Sequence, residues 1–306
     1  MLATELCGVT LKNPVIAASG TFGFGKEYAE IFDISRLGGI SSKGLTLEPR
    51  FGNTGERVYE TASGLINSIG LQNPGVEAFI KEDLPFMQKS GAAVIVNLGG
   101  HDLDSYLKGV ELLDSQDFDL LELNISCPNV KAGGMAFGME PATAGHVVKE
   151  VRARCHKPLM VKLSPNAPDL VGVALSCQQA GADCLSLVNT FQGMAIDIYR
   201  QKPVFDNVFA GFSGPAILPI ALRMVYQVCA AVEIPVVGLG GIASAEDAIA
   251  FMMAGARAVQ VGTATFARPT AMLDIIDGME DFCKQQKLAH IGDIVGAANP
   301  GFRGRR

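Results

Sequence analysis

The sequence has no Cys-x-x-Cys pair, and its seven cysteines, at 7, 127, 155, 177, 184, 229 and 283, are odd in number and scattered. This argues against a disulfide framework and against a zinc or iron–sulfur site, and it fits a reducing, cytoplasmic setting. The four histidines, His101, His146, His156 and His290, show no His-x-x-x-His spacing, so no catalytic metal is expected. A Gly-x-Ser-x-Gly nucleophile elbow is also missing. Net charge is −6, and the only basic cluster is the tail Arg303-Gly304-Arg305-Arg306, which reads as a solvated terminus and not as a nucleic-acid footprint. No apolar run reaches membrane-spanning length without Gly or charge, and Met1-Leu2-Ala3-Thr4-Glu5 has no basic region before an apolar one. Neither an anchor nor a signal peptide is expected.

What is present is enough apolar residue for a large core: 48% of 306 residues, with 35 glycines spread along the chain. Short apolar runs ending in Gly, Ser, Asn or Lys recur at 14–19, 39–43, 93–97, 120–126, 159–163, 184–188, 235–240 and 258–262. They read as buried parallel strands. Amphipathic segments such as 142–154 and 169–180 lie between them, and 245–254 opens with Ser244 as N-cap and Glu246 and Asp247 in its first turn. Eight strand–helix units in a chain of this length predict a single (β/α)8 barrel domain over residues 1–306. Two connections are too long for simple crossovers. Within 44–85, the stretch Thr46–Asn53 suggests a hairpin excursion, and within 190–215, Gln201–Phe205 suggests a second. Long structured loops at a barrel's mouth usually build its site.

Chemistry in this fold gathers at strand C-termini. The fourth strand runs into Asn124-Ile125-Ser126-Cys127-Pro128-Asn129. A free cysteine is ordinarily a small buried hydrophobe. Here a proline follows it, asparagines flank it and it sits at a strand end, which points to a thiol that moves a proton or attacks carbon. Lys131-Ala132-Gly133-Gly134 follows as a candidate mobile cover. Lys43 and Lys162 close the second and fifth strands, and buried lysine is rare unless paired. A structural ion pair explains either one alone; both in one mouth beside amides point to an anionic ligand. Gly240-Gly241-Ile242-Ala243-Ser244 precedes a helix, so its free backbone N–H groups suit a phosphate, with Gly262-Thr263 completing the cradle. Gly238–Ala243 also matches the dinucleotide fingerprint. The unit comes seventh, however, and no acid stands about 20 residues on, where Ala258-Val259-Gln260 lies.

These motifs resemble class 1 dihydroorotate dehydrogenase. The resemblance covers nearly the whole chain and is strongest in Ser19–Gly25, Glu60–Gly75, Asn124–Gly134, Val161–Pro165, Ser213–Ala216 and Gly238–Gly241. Cys-Pro-Asn-Val-Lys-x-Gly-Gly is similar to subclass 1B, whereas the membrane-bound class 2 enzymes carry a serine base and an N-terminal helical extension. The one departure is Asn97-Leu98-Gly99-Gly100, where the family more often has a small residue before the glycine.

The resemblance implies FMN, with its phosphate on Gly240, Gly241, Gly262 and Thr263. Ser19, Lys43, Gly44, Asn97, Asn124, Val188 and Gly214 would serve the rest of the cofactor, with Lys162 near the flavin N1–C2=O edge. It implies dihydroorotate held by Lys43, Asn67, Ser68, Ile69, Gly70, Leu71, Asn124, Asn189 and Thr190, with Cys127 as the base for the C5 proton. It further implies a homodimer at the core of a heterotetramer, whose second subunit carries FAD and a [2Fe–2S] cluster and passes electrons to NAD⁺. Other readings stay open: another FMN barrel acting on a pyrimidine, a fumarate-using subclass 1A enzyme, a barrel isomerase or aldolase with a phosphorylated substrate, and a non-catalytic binding barrel.

Overall fold

Eight parallel strands close into a barrel in the computed structural model, which describes residues 1–126 and 137–304. They are β1 (Val15–Ala17), β2 (Gly39–Ser41), β3 (Ala93–Leu98), β4 (Leu120–Asn124), β5 (Leu159–Lys162), β6 (Cys184–Leu187), β7 (Val236–Leu239) and β8 (Ala258–Val261). Each pairs with its neighbours in sequence, and β8 pairs with β1 to close the ring. All eight expected strands are present; seven lie inside their expected runs, and β3 extends one residue past its run, to Leu98. The expected helices form at Pro141–Arg152, Leu170–Gln179 and Ala245–Ala254. The last is capped as expected: Asp247 N–H donates to Ser244 Oγ at 3.2 Å, and the Ser244 N–H donates in turn to the Asp247 carboxylate at 3.0 Å. Outward-facing strand residues such as Val94, Val96, Leu121, Leu123 and Val161 pack under the helices and form the main core.

The strands' other faces meet inside the barrel. Ile16, Ile95, Leu120, Met160, Cys184, Val237 and Ala258 fill its N-terminal end. A hairpin, Thr4–Leu6 paired with Val9–Leu11, seals that end with Leu6 and Leu11. Its two-residue turn holds Cys7 and Gly8 at φ of 54° and 83°, the positive values a tight hairpin turn demands. The sequence reading did not anticipate this plug.

Both long connections carry excursions, but the first lies elsewhere than expected. Thr46–Asn53 forms no hairpin, only an isolated bridge between Arg50 and Asn73. The hairpin forms further on, Val58–Thr61 with Gly64–Asn67. Pro49 interrupts the earlier stretch, whereas Ala62-Ser63 forms the tight turn that joins Thr61 to Gly64. In the second connection Ile196–Asp197 pairs with Lys202–Pro203, and Phe191–Gly193 with Ala210–Ser213. Ala210–Ser213 also pairs with Gly64–Asn67, so the two excursions merge into one four-stranded antiparallel sheet over the mouth.

Candidate active site

Directly above the apolar plug the barrel interior turns polar, because inward positions recur every second residue along a strand. Glu122, two residues beyond Leu120, is fully buried at the barrel centre. Four side chains donate to it: Ser41 Oγ (2.8 Å) and Asn97 Nδ2 (2.6 Å) to Oε2, Ser186 Oγ (2.8 Å) and Gln260 Nε2 (2.8 Å) to Oε1. Burial works against the charge, but Lys162 and the bonds from Asn97, Gln260 and Ser186 outweigh it, and the carboxyl lies below its usual range.

The network climbs from there. Asn97 Oδ1 faces Asn124 Nδ2 at 3.5 Å, and Asn124 Oδ1 accepts from Ser126 Oγ at 2.8 Å. Asn189 Nδ2 donates to Ser126 Oγ at 2.8 Å, and Tyr106 donates its hydroxyl to the Asn124 carbonyl at 2.6 Å. The end of β4, on which the thiol motif hangs, is therefore braced from three sides. Cys127, Gly133 and Gly134 themselves lie outside the described residues.

Above this layer opens a cavity of about 270 Å³. β1 and β2 supply Ser19, Lys43 and Gly44 to its wall; the mouth sheet and the loop after it supply Asn67, Ile69, Gly70 and Leu71. Asn124, Lys162, Val188, Asn189, Thr190 and Gly214 close the far side, with Gly240, Gly241, Gly262 and Thr263 at the end of β7 and β8. The fold thus gathers expected residues from nine separate stretches of chain around one space. Two expected residues are not on its wall. Asn97 lies beneath, turned to Glu122. Ser68 is buried and accepts from Asn53 (3.1 Å) and Asn207 (3.3 Å), so it secures the loop. Asn189 is on the wall but committed, with Thr190 N–H on its Oδ1 at 2.7 Å and its Nδ2 on Ser126.

The two lysines behave differently. Lys162 is only 4% exposed, lines the cavity, and has no carboxylate within ion-pair distance among the described residues. Lys43 is pushed below the ordinary lysine value, first by burial and then by the Arg57 cation. An ammonium so placed gains by meeting an anion.

At the phosphate end, one expectation needs correcting. The N–H groups of Ala243 and Ser244 are not free: both donate to Asp247 Oδ2 at 3.0 Å, because the capping carboxylate takes them. Donor surface there narrows to Gly240–Ile242 and the Gly262–Thr263 turn. Gly241 must be glycine: its φ is +78°, and a Cβ would stand 2.8 Å from the Leu218 nitrogen. Thr263 Oγ1 donates to Ser213 Oγ at 2.8 Å, tying this turn to the mouth sheet.

Sequence reasoning missed Glu122 and Gln260. An acid and an amide within apolar strands, at Leu120-Leu121-Glu122-Leu123 and Ala258-Val259-Gln260-Val261, were the available signal. Gln260 is 1% exposed, borders the cavity, and its Oε1 has no hydrogen-bond partner among the described residues. No cluster of His, Cys, Asp and Glu placed to hold a metal occurs among the described residues, nor does any helix there have the length and apolarity to cross a membrane.

Fold and site define a (β/α)8 barrel with a polar, lysine-bearing cavity at the C-terminal mouth, where barrel enzymes carry their chemistry. The family description of dihydroorotate dehydrogenase matches residues 1–283. The chain is 55% identical over 292 residues to the dihydroorotate dehydrogenase B (NAD(+)) catalytic subunit of Petrotoga mobilis, covering 95% of this chain and 97% of that one. It is 51% identical over 295 residues to the subunit of that name in Alkaliphilus oremlandii, covering 96% and 98%. For the one in Geotalea uraniireducens the figures are 50% over 297 residues, covering 97% of each chain. The chain belongs to the dihydroorotate dehydrogenase family, and that membership implies a flavin cofactor.

Proposed function

We propose that this chain is the catalytic subunit of an NAD⁺-linked dihydroorotate dehydrogenase that oxidises dihydroorotate to orotate in cytoplasmic pyrimidine synthesis, with FMN as its flavin. The observation that carries the reading is the single cavity in which a buried, unpaired Lys162 and the Gly240–Gly241 and Gly262–Thr263 turns meet. These residues fit a singly phosphorylated ring cofactor: the glycine turns leave no room for a Cβ at Gly241, and among the described residues Lys162 makes no ion-pair contact and Gln260 Oε1 has no hydrogen-bond partner.

Bound flavin supplies the hydride acceptor for C6 of the substrate. The protein supplies the rest. Lys162 places a cation where negative charge builds on the bound ring. Lys43 takes the substrate carboxylate, and Asn67 and Asn124 meet its amide edges. Asn67 has Nδ2 on the Gly211 carbonyl at 3.3 Å, which turns its Oδ1 away from that carbonyl as an acceptor. Asn124 is the converse, its Oδ1 occupied by Ser126 and its Nδ2 held only by the 3.5 Å contact to Asn97. Asn189 holds Ser126, and through it the strand end that leads into Cys127. The Cys127 thiolate takes the C5 proton, leaving the C5=C6 double bond of orotate.

The electrons leave through a partner subunit bearing FAD, a [2Fe–2S] cluster and the NAD⁺ site, on a homodimer of this chain within a heterotetramer. What supports this is the name of the relatives, a catalytic subunit, and the rejection of the dinucleotide fingerprint at Gly238–Ala243. A single barrel domain over 1–306 completes the reading, and the six described cysteines, all free, agree with a reducing compartment.

The test is direct. The purified chain should be yellow, release FMN on denaturation, and shift its flavin absorbance when orotate is added. Alone it should reduce artificial acceptors but form little NADH; co-purified with its partner it should form NADH. Release of FAD or no flavin overturns the cofactor. Equal NADH formation by the isolated chain overturns the partner, and efficient turnover with fumarate points to subclass 1A.

A further inference from the structure

The carboxylate at the barrel centre has no part in the mechanism above, yet all polar groups around it are arranged by it. An ionised carboxylate accepts and cannot donate. With Asn97 Nδ2 and Gln260 Nε2 both on Glu122, neither amide can be flipped without setting an oxygen against a carboxylate oxygen. Their oxygens are thereby turned away from Glu122. Asn97 Oδ1 meets Asn124 and would lie 3.0 Å from a Cβ on Gly44, both cavity-wall residues. Gln260 Oε1 is left buried, beside the cavity and with no hydrogen-bond partner among the described residues. Buried polar atoms without partners are uncommon and call for an explanation.

Charge adds a second effect. Lys162 is in register with Asn124 on one side and Ser186 on the other, and Ser186 donates to Glu122. Glu122 is thus one inward position below the lysine and attracts it without an ion-pair contact. Interior dielectric makes such an attraction far stronger than it would be in water.

We propose that Glu122 is a positioning residue for the ring held in the cavity: it orients the Gln260 and Asn97 amides so that their oxygens face ring N–H groups and wall donors, and it sets one negative charge beneath Lys162 that restrains reduction of the bound flavin. The proposal rests on the flavin reading above. A neutral isostere at 122 removes the charge and reverses one amide. Without that anion, negative charge on the reduced ring is less opposed, and reduction becomes easier.

The experiment is spectroelectrochemical titration of the flavin-loaded full chain, wild type against Glu122→Gln. At a fixed ambient potential the ratio of reduced to oxidised flavin is expected to rise about tenfold in the variant, a positive shift of about 30 mV for a two-electron couple. The swap Glu122→Gln/Gln260→Glu keeps one acid and one amide but moves the acid to the cavity side; its ratio should fall below that of the wild type. Flavin content and thermal midpoint are measured alongside. A purely structural Glu122 would lower the midpoint and leave the ratio within twofold of wild type in every folded variant, which overturns the proposal. If Glu122→Gln does not fold, the swap decides by the same criterion; if neither folds, Glu122 serves folding alone and the proposal fails. A wild type without flavin would instead sink the functional reading, a distinguishable result.

Discussion

Leucine at position 120 helps to plug the floor of the barrel, glutamate at 122 gathers four hydrogen bonds at its centre, and asparagine at 124 stands in the wall of the cavity. The same step from apolar to polar occurs from Ile95 to Asn97, Met160 to Lys162, Cys184 to Ser186 and Ala258 to Gln260. One set of strands therefore builds two environments about two residues, roughly 7 Å, apart. The lower layer contributes burial and tolerates no water. The upper layer holds polar groups that are worthwhile only if each finds a partner, and among the described residues Lys162 makes no ion-pair contact and Gln260 Oε1 no hydrogen bond. The lesson is that stability and function divide along the barrel axis and not around it. A substitution's layer should decide whether it damages folding or chemistry.

The hardest test of that division is on the functional side. Cys127→Ser should slow flavin reduction by dihydroorotate at pH 7 by roughly 10²–10⁴-fold, since serine is the poorer base. Flavin content should stay unchanged and the loss should shrink at high pH; stopped-flow absorbance measures it, and an undiminished rate at pH 7 removes Cys127 from the reaction. On the other side, Leu120→Ala should cost about 2–5 kcal/mol of stability by opening a cavity in the floor. Denaturant unfolding reads the cost, and orotate affinity of the folded fraction should not change. A large affinity change there would erase the distinction between layers.

Gly241→Ala is expected to weaken flavin binding by about 1–3 kcal/mol, because the left-handed backbone and the Leu218 contact both resist a Cβ. Equilibrium dialysis of flavin against the apoprotein would show it; wild-type affinity would mean the turn does not carry the phosphate. The smallest effect is in pH. Lys43 loses its proton below the ordinary lysine value, so the dissociation constant for anionic orotate should begin to rise with pH before 10.5 is reached. Lys43→Arg stays charged over that range and should delay the rise. An identical profile in both would take Lys43 away from the carboxylate.

Much of this was legible beforehand. Apolar runs ending in Gly, Ser, Asn or Lys mark all eight strands, and Ser244 with Asp247 marks a helix start, because these signals are local. The excursion at Thr46–Asn53 was misplaced because its turn residues include a proline that blocks pairing, while the real hairpin's partner, Ala210–Ser213, lies far along the chain. The cradle was read as longer than it is, since nothing local shows that Asp247 takes the N–H groups of Ala243 and Ser244. Glu122 went unread because its four donors come from β2, β3, β6 and β8.

The sequence by itself determined the alternation of strand and helix, the residues at each strand end and their kinship, since these depend on periodicity and on motifs carried within short stretches. Folding alone shows that Glu122 anchors the barrel's centre, that Asn97 and Ser68 support the wall without lining it, and that Lys162 meets no carboxylate among the described residues. Those facts depend on barrel closure, which brings side chains more than a hundred residues apart, such as Glu122 and Gln260, to 2.8 Å and leaves the remaining valences pointed at the cavity.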